Sequence, residues 1–182
     1  MILLMGKSGS GKDTVIELLK RRGFRKIVAY TTRPQRSGEV DSETYHFCWG
    51  SEFGDLRSNG FFIVTETYLT NEDIWEYGVS KDEVLGADDR TILVLNPKTG
   101  KQLVTEYPEL GIKTIYLYCP TRVLEKRLLG RGDNAEEALR RLTQDDNDFK
   151  DVEKWADVEI YNSSTNPEVA ANSIIRYLEV NE

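Results

Sequence analysis

The sequence predicts a three-layer α/β domain built on a parallel core sheet. Apolar runs alternate with helical patterns along the chain, which is the signature of that class. Two runs, Thr91 to Leu95 and Lys113 to Tyr118, are continuous rather than alternating, as in strands covered on both faces. The first run, Ile2 to Met5, passes through a glycine-rich turn straight into a helical pattern.

Taken in order, Ile2 to Met5 reads as a buried strand and Lys12 to Arg22 as a helix with Val15, Ile16, Leu18 and Leu19 inward. Ile27 to Tyr30 reads as a short strand, and Thr31 to Asp41 as a polar loop punctuated by Pro34 and Gly38. Thr44 to Phe47, Phe61 to Tyr68 and Ile74 to Gly78 read as further strands. Helices follow the two apolar strands, over Gly100 to Tyr107 and Thr121 to Leu129. A charged helix runs from about Asn134 to Asp148, and a last strand covers Val158 to Tyr161. Asn166 to Leu178 closes the chain as a helix with Pro167 in its first turn.

The chain has 182 residues, which fits a single domain with a sizeable core. With 39% hydrophobic and 30% charged residues it reads as globular and soluble. A net charge of −7 gives no broad electrostatic reason to bind nucleic acid. Two cysteines, Cys48 and Cys119, and one histidine, His46, show no metal-site or disulfide spacing. The apolar N-terminus is too short for a signal peptide or a membrane span, so a cytoplasmic location is expected. Trp49, Trp75 and Trp155 read as packing residues and the two cysteines as buried thiols.

The chemistry starts in the first turn, Gly6-Lys7-Ser8-Gly9-Ser10-Gly11-Lys12. A strand, a glycine-rich turn and a helix opening on lysine form a phosphate loop, here expected to take a nucleoside triphosphate. Glycines let the backbone wrap a phosphate, successive N–H groups point inward, and the helix N-terminus adds its dipole. Lys12 supplies charge for the β- and γ-phosphates. The motif wants Ser or Thr after the lysine as a Mg²⁺ ligand; here Asp13 stands there, a carboxylate able to hold Mg²⁺, and Thr14 follows.

A second anion site is suggested by Thr31-Thr32-Arg33-Pro34-Gln35-Arg36-Ser37-Gly38-Glu39, followed by Tyr45-His46-Phe47. Arg forks and a Tyr hydroxyl suit a phosphate monoester. Together with the phosphate loop, this stretch resembles the signature of the guanylate kinase family, with Ser42 where that family usually has glycine. The order of later segments is similar as well, so the resemblance covers nearly the whole chain.

The resemblance implies a P-loop NTPase fold: a three-layer arrangement with a parallel core sheet, a small nucleoside-monophosphate-binding insertion and a helical lid. Over a single domain 1–182, the core is expected at about 1–30, 91–120 and 155–182, the insertion at about 31–90 and the lid at about 128–150. It implies transfer of the γ-phosphoryl group of ATP to GMP or dGMP with Mg²⁺. Arg33, Arg36, Tyr45 and Tyr77 would hold the acceptor phosphate, and Glu66 would read the guanine edge, where two adjacent N–H donors suit a carboxylate. Arg127, Arg131, Arg140 and Arg141 look like lid arginines; Lys12, Arg33, Arg131 and Arg141 are the expected catalytic charges. Gly6, Ser8, Gly9, Ser10, Gly11, Lys12, Asp13 and Thr14 would bind ATP, with Asn162 at a strand end beside the base.

Departures collect on the acceptor's base side: Ala29 and Val79 stand where the family carries hydroxyls, and Asn96-Pro97-Lys98-Thr99-Gly100 lacks two family aspartates. Gly-Lys-Asp, Tyr-Gly-Val and Asn96 are also similar to ribose 1,5-bisphosphate phosphokinases, an alternative sugar-phosphate reading. A non-catalytic guanylate-kinase-like binding module is a further alternative, opposed by the retained phosphate loop and arginines.

Overall fold

In the computed structural model, which describes residues 1–69, 73–130 and 135–181, the central strand is β1 (Ile2–Met5). It pairs in parallel with β7 (Thr91–Val94) on one side and β8 (Lys113–Tyr118) on the other. β2 (Arg25–Lys26) and β9 (Val158–Tyr161) complete a five-stranded parallel sheet in the order β2-β7-β1-β8-β9. Successive side chains of β1 enter opposite cores, as a strand's period of two requires. Ile2 and Leu4 join Val15, Ile16 and Leu19 of α1 (Lys12–Lys20) and Ala170, Ala171 and Ile174 of α7 (Glu168–Val180). Leu3 and Met5 join Leu103 of α4 (Pro97–Glu106) and Val64 and Val79 of a second sheet. Burial of each such side chain contributes about 1.5–3 kcal/mol, so both faces of the strand are anchored.

The second sheet has the order β4-β3-β6-β5, formed by β3 (Tyr30–Thr31), β4 (His46–Phe47), β5 (Phe62–Leu69) and β6 (Ile74–Ser80). β5 and β6 pair antiparallel, with Glu66 opposite Tyr77. The strand expected over Ile27 to Tyr30 is therefore two short strands in different sheets. The chain leaves β2 at Lys26 and enters β3 at Tyr30, with Ile27 buried in the crossing. Two helices have no counterpart in the sequence reading: α2 (Gly50–Ser58), whose buried residue is Phe53, and the short α3 (Lys81–Leu85), capped by Ser80.

α4 begins earlier than expected, at Pro97, because the Asn96 side chain caps it by accepting from Thr99 N at 2.8 Å. α5 (Thr121–Gly130) and α6 (Ala135–Asp148) pack against each other through Leu124, Leu128, Ala138 and Leu142. α7 starts at Glu168, with Pro167 at its cap rather than inside its first turn. Trp49 is 82% exposed and is not a packing residue. Ser42 has φ of 64°, in the left-handed region that favours glycine. No helix among the described residues is long and apolar enough to cross a membrane.

Candidate functional site

The loop between β1 and α1 is held from beneath. Gly9 and Gly11 have φ of 77° and 91°, and a Cβ on Gly11 would stand 2.6 Å from Asn162 Nδ2, so only glycine fits there. Ser10 N donates to Lys7 O at 3.0 Å and closes the turn. Asn162, 2% exposed, donates from Nδ2 to Ser10 O at 2.7 Å. Arg127 Nη1 donates to Gly9 O and Ser10 O at 3.3 and 3.2 Å, while Nη2 donates to Asn162 O and Ser164 O at 3.0 and 3.2 Å. In a trans peptide the N–H points away from the C=O. Holding Ser10 O below thus turns Gly11 N–H to the other side of the loop. Arg127, read from sequence as a lid arginine, is a strut beneath the loop, and Asn162 lies beneath the loop with it.

Above the loop, Lys12 Nζ donates to Gly6 O at 2.5 Å and Lys7 O at 3.2 Å. Asp13 and Thr14 are exposed on the first turn of α1. α6 closes over this face. Asp145 accepts from Ser8 N at 2.5 Å, and Lys7 pairs with Asp146 at 2.5 Å. Burial raises the Asp145 carboxyl above its ordinary range, opposed by the Ser8 N–H and the charge of Lys12. Sequence reasoning missed both aspartates. Their signal is positional: α6 has no basic residue in its last turn and ends on Asp145, Asp146 and Asp148, the wrong charge for a helix C-terminus.

The Thr-Arg segment is knitted to the second sheet. Thr31 Oγ1 donates to Glu76 O at 2.9 Å and accepts from Arg33 N at 3.1 Å, and Thr32 Oγ1 accepts from Glu76 N at 2.9 Å. Arg33 is thereby held at 5% exposure, its guanidinium over the rings of Tyr45 and Phe47 at 5.4 and 5.7 Å. Glu39 accepts from Arg33 Nη2 at 2.7 Å and from Arg36 N at 2.8 Å, an organising contact that the motif alone does not reveal. Burial, then the like charges of Arg33 and Arg141, lower Arg36 below its ordinary range, so the three guanidiniums lie within electrostatic reach of one another. Burial pushes the Tyr45 phenol up to about 12, keeping it a donor. The charge of Asp13 acts on Tyr45 and on Lys26, so the donor loop and this cluster adjoin.

Tyr77 links the arginine cluster to Glu66. Its ring lies 5.7 Å from that of Tyr45 and 5.5 Å from that of Tyr68, and it faces Glu66 across the β5–β6 pair. Asn96 Nδ2 donates to Glu66 Oε1 and, at 3.0 Å, to Tyr68 Oη. Burial pushes the Glu66 carboxyl up to about 7, opposed by the Tyr68 hydroxyl and Lys98, with the charge of Asp148 adding to the rise. The two departures Ala29 and Val79 pack in or against the core with Val64. Of the expected residues, the structure brings together Lys12, Asp13, Arg33, Arg36, Tyr45, Glu66, Tyr77 and Arg141. Arg131 lies outside the described residues.

Comparison with known proteins bears on the family and the fold. The guanylate kinase family model matches residues 1–176. A guanylate kinase from Nostoc sp. is 33% identical over 150 residues, covering 79% of this chain and 72% of the relative. One from Fusobacterium nucleatum is 27% identical over 183 residues, covering 98% and 95%. The crystal structure of guanylate kinase from Anaplasma phagocytophilum superposes with a TM-score of 0.70 at 25% identity, covering all of this chain and 85% of that one. An uncharacterized protein from Eubacterium ventriosum shares the fold, with a TM-score of 0.53 at 13% identity and 98% of each chain covered.

Proposed function

This chain belongs to the guanylate kinase family and is a nucleoside monophosphate kinase with a P-loop NTPase fold, and from that premise we propose that it transfers the γ-phosphoryl group of ATP to GMP or dGMP, leaving ADP and the nucleoside diphosphate. The observation that carries this reading is a run of neighbouring polar groups. It runs from the phosphate loop through Tyr45 and the Arg33–Arg36–Arg141 cluster, and past Tyr77 to the Glu66 carboxylate.

In this scheme Arg33, Arg36, Tyr45 and Tyr77 hold the acceptor's phosphate, and Glu66 accepts from the two N–H donors of guanine. An oxygen of the acceptor phosphate attacks the γ-phosphorus in line. The bond to the β–γ bridging oxygen breaks, and ADP leaves. No protein nucleophile is required; catalysis is alignment and positive charge around the transferring group. Lys12, swung from the carbonyls of Gly6 and Lys7 onto phosphate oxygens, supplies part of that charge, and Arg33, Arg131 and Arg141 the rest. Asp13, Thr14 and the loop amides from Gly6 to Lys12 form the donor side, held in shape by Asn162.

Mg²⁺ is bound by one or two carboxylates plus substrate phosphates rather than by a full protein cage. An exposed carboxylate one residue past Lys12 fits that pattern, and no group of three or more metal-ligating side chains occurs among the described residues. Asp13 would hold the ion, which neutralises charge on the β- and γ-phosphates when bound.

The test is ADP release with ATP and Mg²⁺ across a panel of nucleoside monophosphates and ribose 1,5-bisphosphate. Turnover is expected to be strongest with GMP or dGMP, and Lys12→Ala should lower it by about a hundredfold or more. Turnover with the sugar bisphosphate alone would overturn the acceptor, and no turnover with any acceptor would leave a binding module.

A further inference from the structure

Residues 141, 145 and 148 recur at helical spacing and so share one face of α6. Each acts on a different part of the site. Arg141 acts on Arg36 of the arginine cluster, Asp145 accepts from Ser8 N of the phosphate loop at 2.5 Å, and the charge of Asp148 acts on Glu66 and Tyr68. The Lys7–Asp146 pair, 2.5 Å, fixes the helix beside the same loop.

We propose that Asp145 is a built-in competitor for the phosphates of the donor nucleotide, and that it sets the affinity of the loop for ATP. The proposal rests on the phosphate-loop reading above. A backbone amide has one hydrogen to donate, and that of Ser8 goes to a carboxylate oxygen, the same kind of acceptor that a phosphate presents. The carboxylate also lies where the charge of Lys12 acts on it. Lys12 is the group that reaches the β- and γ-phosphates. A triphosphate that takes the Ser8 N–H must therefore displace Asp145, since two anionic acceptors placed together repel.

The consequence extends to the acceptor. Arg141 sits one turn before Asp145, so movement of α6 off the loop also moves Arg141 relative to Arg36. Donor arrival and the charge environment of the acceptor phosphate are thereby linked through one helix. On release of ADP, return of Asp145 to Ser8 N would speed departure of the product.

The experiment is calorimetric titration of ATP with Mg²⁺ into the full chain, its Asp145→Asn and Asp145→Ala variants, and Lys12→Ala, with KM and kcat measured in parallel. Loss of a charge-assisted competitor corresponds to about tenfold. Asp145→Ala should bind ATP about tenfold tighter than the parent, with Asp145→Asn in between; KM for ATP should fall and kcat should not rise. Equal or weaker binding by the variants, with the parent binding normally, would overturn the proposal and make Asp145 a support of the loop. Should Asp145→Ala fail to fold, the near-isosteric Asp145→Asn decides alone. Failure of the parent itself to bind ATP, or unaltered binding by Lys12→Ala, would overturn both the phosphate-loop reading and the proposal built on it.

Discussion

Replacing Glu66 with Gln isolates the contact on which the proposed acceptor identity depends. Gln keeps the shape and still accepts from Asn96 Nδ2, so β5 and the cap of α4 should stay in place. What changes is the face toward the base: a carboxylate offers two acceptors, whereas the amide offers one acceptor and one donor. One guanine N–H then meets an N–H. A hydrogen bond to a charged group is worth about 1.5–3 kcal/mol, or roughly 10- to 150-fold in binding. KM for GMP should rise by that factor, with kcat little altered and KM for ATP unchanged. Coupled-enzyme kinetics with each substrate varied in turn measures this. An unchanged KM for GMP would refute the role of Glu66. The parent adds a pH signature. Burial holds the proton on folded Glu66 up to about pH 7, against an ordinary value of 4.5. Between those values the folded state binds more protons than the unfolded one, so stability falls as pH rises through that window. Over the same window, KM for GMP should rise as pH falls below about 7, because a protonated carboxyl cannot accept from both guanine donors. Both dependences should be absent in Glu66→Gln, which separates them from titration of the nucleotide's own phosphate.

Arg127→Ala should cost about 1.5–3 kcal/mol in thermal or denaturant unfolding and raise KM for ATP, since carbonyls of Gly9, Ser10, Asn162 and Ser164 lose their shared donor. A KM for ATP equal to the parent's would show that the loop keeps its shape without the strut. Ser42→Gly should raise stability by about 0.5–1 kcal/mol, a melting-point gain of about 1–4 °C, because it relieves a left-handed serine at φ 64°. A lower melting point would mean that the Ser42 Oγ contact with Asp41, 3.1 Å, outweighs the strain.

What was legible in the sequence follows from what each pattern depends on. β1, β7 and β8 were readable because burial on both faces demands unbroken apolar runs, and their residues are nearly all inaccessible. The run at Ile27 was misread because its burial comes from crossing between sheets, and a hydrophobic residue in a crossing looks like one in a strand. α2 escaped notice because it opens on Gly50-Ser51, carries Gly54, and buries Phe53 alone among its residues, so no amphipathic period appears. Within the site, motif residues were readable because their spacing is local: Thr31, Thr32 and Glu39 position Arg33 within a few residues of it. Arg127 and Asp145 were not, because each acts on the phosphate loop from more than a hundred residues away. Their partners are set by where α5 and α6 land, which no spacing along the chain encodes.

The base-side departures also change meaning in three dimensions. Read along the chain, Ala29, Val79 and Asn96 were lost polar contacts. In the fold, Ala29 and Val79 pack in or against an apolar cluster, and a hydroxyl at Val79, 2% exposed, would itself need a buried partner. Both Nδ2 hydrogens of Asn96 are engaged, by Glu66 and Tyr68, and its Oδ1 accepts from Thr99 N. It therefore orients Glu66 and has no N–H left for a base edge. On the proposed reading, discrimination among bases then falls on the protonation state of one carboxyl. Ionised, Glu66 matches a base with two adjacent donors; protonated, it presents one donor and one acceptor, the pattern that adenine complements. Guanine preference should accordingly be greatest above about pH 7 and narrow below it, the direction in which burial has moved this group. The ratio of kcat/KM for GMP to that for AMP, followed across pH, measures this, and a ratio that stays flat or widens toward acid would place the discriminating contact elsewhere.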